Sequence, residues 1–156
     1  DEIPNLTKAI DLNNHKFTVF EQKMFYYKIN LHNKTEPFWY GSRICKKKYL
    51  KSPQWLRNQK IKDYPFWRLD RLNQQTISGG WHFSYMQKPS QILNKIKSFS
   101  HGEYNNKNIN EKNIEEKIIN NEDIFGRGIK LKKIDIDDTY PEYIVNNKDK
   151  YSDWII

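Results

Sequence analysis

A chain of 156 residues with a formal charge of +8, an apolar fraction of 37% and an aromatic fraction of 15% is long enough for one domain with a real core, yet polar overall. It contains no window of about 20 apolar residues, so this stretch holds no candidate membrane-spanning helix, and its single cysteine, Cys45, excludes an internal disulfide. The positive balance suits an anionic partner such as a nucleotide, a phosphorylated donor or a membrane surface, although Lys46-Lys47-Lys48 and Lys130, Lys132 and Lys133 read equally well as solvated faces.

The chain opens on Asp1-Glu2-Ile3-Pro4 with no initiator methionine, which predicts a cut through a longer protein. A short helix carrying Leu6 and Ile10 is expected to follow, with Pro4 in its first turn and the acidic pair at its positive end. Asn13-Asn14 stops it, and Phe17-Thr18-Val19-Phe20 begins an element that is either helix or strand. The run from Met24 to Leu31 predicts a strand, rich in β-formers and too apolar to lie exposed. Across a turn at Asn33 to Pro37, the stretch from Phe38 to Ile44 is its expected neighbour, the two walling a pocket. Ser52 then caps a short helix with Pro53 at its first position. From Asn58 to Asn73 periodicity is weak, which predicts a loop. Its Trp67-Arg68-Leu69-Asp70-Arg71 reads as a binding segment in which Arg68 and Arg71 either hold a diphosphate or pair with Asp63 and Asp70.

The densest concentration of chemistry is Gly79-Gly80-Trp81-His82-Phe83-Ser84-Tyr85. Strand alternation points Trp81, Phe83 and Tyr85 one way and His82 and Ser84 the other, while the glycines supply a special backbone conformation or a close approach to a ligand. His82 is then either a hydrogen-bonded core histidine or part of a site. Pro89-Ser90 opens a helix with Ile92, Leu93, Ile96 and Phe99 on one face, delivering Ser100-His101-Gly102-Glu103 at its end. Asn110 caps another helix, with Ile114, Ile118 and Ile119 on its apolar side and Asn120-Asn121 as its stop. Phe125-Gly126-Arg127-Gly128 reads as a turn into a short strand through Ile129 and Leu131. No repeat or low-complexity linker marks a domain boundary.

Three polar positions stand out: the Asp1-Glu2 pair, His82, and the His101/Glu103 pair. Carboxylates and imidazoles together hold a divalent ion with positions left for phosphate oxygens, and a hard ion such as Mg or Mn suits them. Glu103 or Asp70 is the candidate general base for an attacking hydroxyl. A phosphate-binding glycine loop with its lysine, a CxxC pair, a serine elbow and HExxH are all missing from the sequence. The aromatics cluster with apolar residues at strand spacing instead of interleaving with Lys and Arg, which argues against nucleic acid as the partner.

The segments Asp1-Glu2-Ile3-Pro4, Tyr26-Tyr27-Lys28-Ile29-Asn30, Trp39-Tyr40-Gly41, Ser52-Pro53-Gln54-Trp55-Leu56-Arg57, Gly79 to Tyr85 and Lys97 to Glu103 occur in an order that resembles glycosyltransferase family 17. The resemblance implies a GT-A-like α/β fold with a mixed sheet and packed helices, of which residues 1–156 are the C-terminal part, a single partial domain with the N-terminal nucleotide-binding half largely missing. It also implies a nucleotide-sugar donor and inverting transfer of N-acetylglucosamine from UDP-GlcNAc to a mannose or related hydroxyl of a glycan acceptor in β-1,4 linkage. The family carries Asp-x-Asp-Glu-Ile-Pro at its donor-metal site, of which Asp1 and Glu2 stand here. The roles then implied are Asp1 and Glu2, helped by His82 or His101, on Mn or Mg; Arg68 and Arg71 on phosphate or acceptor; and Glu103, or second Asp70, as base. Trp39, Tyr40, Trp81 and Ser84 line the donor and acceptor, with Trp81 equally placed for the core. Animal relatives are Golgi membrane enzymes, and a microbial or viral relative is expected in the cytoplasm. A non-catalytic carbohydrate-binding domain is the competing expectation.

Overall fold

The structure, a computed structural model, describes residues 15–59, 67, 74–98 and 109–156. Among the described residues the fold is mixed α/β, with six strands and several short helices. Strand β1 (Phe17–Tyr26) is the hub, pairing with β2 (Leu31–Asn33), β3 (Phe38–Trp39), β4 (Arg43–Cys45) and β5 (Gln74–Ser84). The partners with a defined register run antiparallel: Gln22 faces Trp39, Thr18 faces Ile44 and Phe25 faces His32. On the β5 side, the bonds Thr18 to Gln75 and Glu21 to Ser78 share a constant sequence offset of 57. A constant offset is the progression of two strands running in the same direction, since antiparallel partners keep a constant sum.

The described residues divide between two compact units, one within 1–23 and 38–82, the other within 24–37 and 83–156, and both β1 and β5 supply residues to each. In the first unit Phe17, Val19, Phe20 and Trp81 are buried, and the Trp55 ring meets Phe17 edge-on with centroids 6.3 Å apart. Trp55 comes from α1 (Pro53–Arg57), whose cap is as predicted: the Ser52 hydroxyl accepts from the Trp55 amide at 3.0 Å. Arg43 ties β4 to the chain after α1, its Nε donating to the Gln59 carbonyl at 3.0 Å.

The second unit has its core between β1–β2 residues and two helices, α2 (Pro89–Ser98) and α3 (Glu111–Ile119). Ile92 and Ile96 of α2 and Ile114 and Ile118 of α3 are buried among Met24, Tyr26, Tyr27, Leu31 and Ile124. The i, i+4 spacing on each helix generates one buried stripe. Asn110 caps α3 by accepting from the Asn113 amide at 2.9 Å, and the helix stops at Asn120. Ile119, expected on the apolar side, is instead 66% exposed, because it stands one residue, about 100° of turn, past Ile118. After the turn at Gly126, β6 (Leu131–Lys133) pairs antiparallel with β2, and α4 (Glu142–Val145) follows. Among the described residues no helix is long and apolar enough to cross a membrane.

One predicted element is corrected. The run Met24–Leu31 is not a single strand: β1 ends at Tyr26, Tyr27 takes a left-handed conformation (φ 64°), and the chain folds back into β2. Tertiary bonds hold this turn. The Tyr27 amide donates to the Ser84 carbonyl at 2.9 Å and its hydroxyl to the Asp123 carboxylate at 3.0 Å. Both arms of the hairpin are buried, so their hydrophobicity reads as one continuous run. Consequently Phe38–Trp39 and Arg43–Cys45 pair with the Phe17–Lys23 part of β1 and not with Met24–Leu31.

Candidate functional site

Strand β3 is only two residues long and both of its side chains reach solvent: Phe38 is 42% and Trp39 40% exposed. Trp39 is nevertheless not loose. The His82 ring lies parallel to its indole at 4.6 Å between centroids and 21° between planes. Gly41 lies directly against the indole, where a Cβ would overlap Nε1 and Cε2. An aromatic face fixed by a second ring and by bare backbone, yet open to water, is a preorganised stacking surface. Burial holds the His82 imidazole below the usual histidine range, so at neutral pH it packs uncharged against Trp39.

A second polar group lies in the same unit. The Tyr40 hydroxyl donates to Glu21 Oε2 at 2.6 Å, and the Ser78 hydroxyl donates to Glu21 Oε1 at 2.9 Å. The hydrogen bond to Glu21, with burial, pushes the Tyr40 phenol up to about 12, which keeps it a proton donor. The register sets Trp39 opposite Gln22 and hence Tyr40 beside Glu21, on alternate faces of β1. Ser78 and His82, four residues apart, would share a face in an uninterrupted strand, yet Ser78 meets Glu21 while His82 meets Trp39. The alternation is reset at Gly79 and Gly80, whose φ angles of 133° and 100° suit glycine alone. This is the special backbone conformation expected of the glycine pair. It lets one strand present a hydroxyl to one face and an imidazole to the other.

Of the residues singled out from sequence, the structure brings together Trp39 and His82, and places Tyr40 on the next position of the same segment. Trp81 is 9% exposed, a core side chain whose carbonyl accepts from the fully buried Gln22 amide at 3.2 Å, so it offers no ring face to a ligand. Ser84 belongs to the second unit, where its carbonyl receives the Tyr27 amide and its side chain is half-buried. Asp1, Glu2, Arg68, Asp70, Arg71, His101 and Glu103 lie outside the described residues. His82 is therefore the described member of the expected metal set. Its neutral imidazole has the chemistry of a ligand, but among the described residues no group of three His, Cys, Asp or Glu side chains is placed to hold an ion.

Glu21 and Ser78 were not singled out. The signal is Glu21-Gln22-Lys23, a polar triplet between the largely apolar Phe17–Phe20 and Met24–Tyr27. With Phe17–Phe20 undecided between helix and strand, its facing partner had no assigned position.

No protein-family model, no curated protein and no solved structure matches the chain.

Proposed function

We propose that the chain is part of a GT-A-like inverting glycosyltransferase that moves N-acetylglucosamine from UDP-GlcNAc to a mannose or related sugar hydroxyl in β-1,4 linkage. The ordered series of segments resembling family 17 supports this reading, as does the mixed α/β fold. The observation that carries it is Trp39: a half-exposed indole, braced by His82 and seated on Gly41, presents the kind of flat apolar face that packs on the C–H side of a pyranose ring.

In the reaction the acceptor hydroxyl oxygen attacks the anomeric carbon of the donor from the face opposite the diphosphate. The bond from that carbon to the diphosphate oxygen breaks, its electron pair leaves with UDP, and the hydroxyl proton passes to a carboxylate. Glu103 is the first choice for that carboxylate and Asp70 the second, with Arg68 and Arg71 on phosphate or acceptor; these roles rest on the resemblance. Asp1 and Glu2, helped by His82 or His101, would hold Mn or Mg, which would supply positive charge against the diphosphate. Trp39 and Tyr40 hold sugar.

The test is transfer of labelled N-acetylglucosamine from UDP-GlcNAc to a mannose-terminated oligosaccharide, with and without Mn or Mg, by the whole protein of which this chain is proposed to be part. Donor-dependent, β-linked product that Glu103→Gln abolishes is the expected result. Saturable glycan binding with no transfer assigns the chain to the competing class, a carbohydrate-binding domain. Absence of both transfer and binding overturns the reading.

A further inference from the structure

A carboxylate lodged in a sheet ordinarily answers to a cation, and this chain has 27 Lys and Arg to offer. Glu21 does otherwise: among the described residues its partners are two hydroxyls, Tyr40 on Oε2 at 2.6 Å and Ser78 on Oε1 at 2.9 Å. Hydroxyl donors orient a carboxylate without neutralising it. Each carboxylate oxygen accepts about two hydrogen bonds, so each retains one acceptor direction after Tyr40 and Ser78 are served. Glu21 is half-buried and Ser78 is exposed, so the group stands at the solvent border of the sheet.

We propose that Glu21 is a saccharide-binding residue, its two oxygens receiving a pair of neighbouring hydroxyls from a neutral sugar, with Tyr40 and Ser78 as the residues that position it. The chemistry fits on three counts. Neighbouring ring hydroxyls are two donors at a spacing that a carboxylate accepts side by side, and bonds to an ionised acceptor are stronger than neutral ones. The group is fixed beforehand, so binding forfeits little side-chain freedom. Tyr40 stays protonated, and its oxygen keeps a lone pair for a further sugar hydroxyl. Strand alternation puts this position on the other face from Trp39, which makes it a second subsite and not an extension of the stacking surface. The inference rests on the reading that the chain handles carbohydrate and adds the residue that selects for hydroxyl pattern.

The test is calorimetric titration of the protein with a mannose-terminated oligosaccharide and with the same oligosaccharide lacking one hydroxyl of its vicinal pair. Wild type is expected to discriminate between them by about tenfold, the worth of one hydrogen bond to a charged group. Glu21→Gln is expected to weaken the intact sugar by a similar factor and to erase the discrimination, while Ser78→Ala gives an intermediate loss. Glu21→Gln keeps the side chain's size and an acceptor for Tyr40 or Ser78, and its thermal midpoint checks the fold. Wild-type binding that Trp39→Ala weakens but Glu21→Gln leaves unchanged overturns this inference and leaves the proposed function standing. Retained discrimination in Glu21→Gln overturns it as well. No saccharide binding by wild type removes the proposed function and this inference together.

Discussion

Trp39 and His82 stack at 4.6 Å between ring centroids, and the same indole rests on the backbone of Gly41, so one residue from β5 and one from its own segment fix an exposed ring. An aromatic pair of this kind contributes about 0.5–1.5 kcal/mol beyond its buried area. The arrangement matters more for holding Trp39 in place than for holding the fold together.

Gly41→Ala is expected to separate the two effects. The new Cβ would overlap the indole, and Trp39, half-exposed, has solvent to swing into. Stability should fall by no more than about 1.5 kcal/mol, the full worth of the lost ring pair. The near-ultraviolet circular dichroism of the tryptophans should diminish, and Trp39 should become more accessible to a collisional quencher. An unchanged spectrum and unchanged quenching would show that the indole is not seated on this glycine.

His82 predicts a pH dependence. Burial lowers its folded pKa below the ordinary 6.5, so in the window just below that value the unfolded chain binds more protons than the folded one. Stability therefore rises with pH through the window and is lost on acidification. Denaturant midpoints measured across it should show this slope in wild type and lack the His82 share in His82→Gln. Equal slopes in the two proteins would contradict a partly buried, neutral imidazole.

In the second unit the Asp123 carboxylate takes two side-chain bonds from Arg127, at 2.7 and 3.0 Å, as well as the Tyr27 hydroxyl at 3.0 Å. Burial pushes Asp123 up, but the Arg127 bonds outweigh it and hold the group below the usual carboxylate range. A depressed carboxylate stabilises above its unfolded pKa and loses that contribution as pH falls through the folded one. Arg127→Ala leaves Asp123 buried without its cation, and a loss of about 3 kcal/mol in chemical denaturation is expected. The variant should also unfold at a higher pH on acidification. A loss below about 1 kcal/mol would place the pair among surface ion pairs of little consequence.

Tyr40 is the opposite case at the alkaline end. Its folded pKa, about 12, lies above the ordinary 10.0, so the folded chain holds the proton longer and stability declines as pH rises from the lower value to the higher. Tyr40→Phe should remove one phenol from the late part of the phenolate absorbance titration and none from the early part. A loss from the early part would mean that the bond to Glu21 is not formed in solution.

Much of the second unit's secondary structure was legible because its signals are local. Ile92/Ile96 and Ile114/Ile118 repeat at helical spacing, and the Asn110 cap needs only its own turn. The Ser52-Pro53 start in the first unit is of the same kind. The hairpin at Tyr27 was not legible, because what bends the chain there is a hydroxyl bond to Asp123, 96 residues away, in a stretch equally apolar on both sides. The candidate site divides the same way. Trp39, Tyr40 and His82 stand out by residue type, whereas Glu21 and Ser78 acquire meaning only from strand pairing, Glu21 through the β1–β3 register and Ser78 through the β1–β5 offset. The face each residue points to was hidden by the reset at Gly79-Gly80, which a count of alternating positions passes over. Ile119 failed for the simplest reason: its neighbour Ile118 already occupies the buried stripe.

The most direct measurement is saturation-transfer NMR on the protein with a mannose-terminated oligosaccharide, comparing wild type with Trp39→Ala. Transfer to the sugar's ring C–H protons is expected in wild type, with its collapse when the indole is removed. Equal transfer in the two proteins, or none in wild type, would contradict a sugar-stacking role for Trp39.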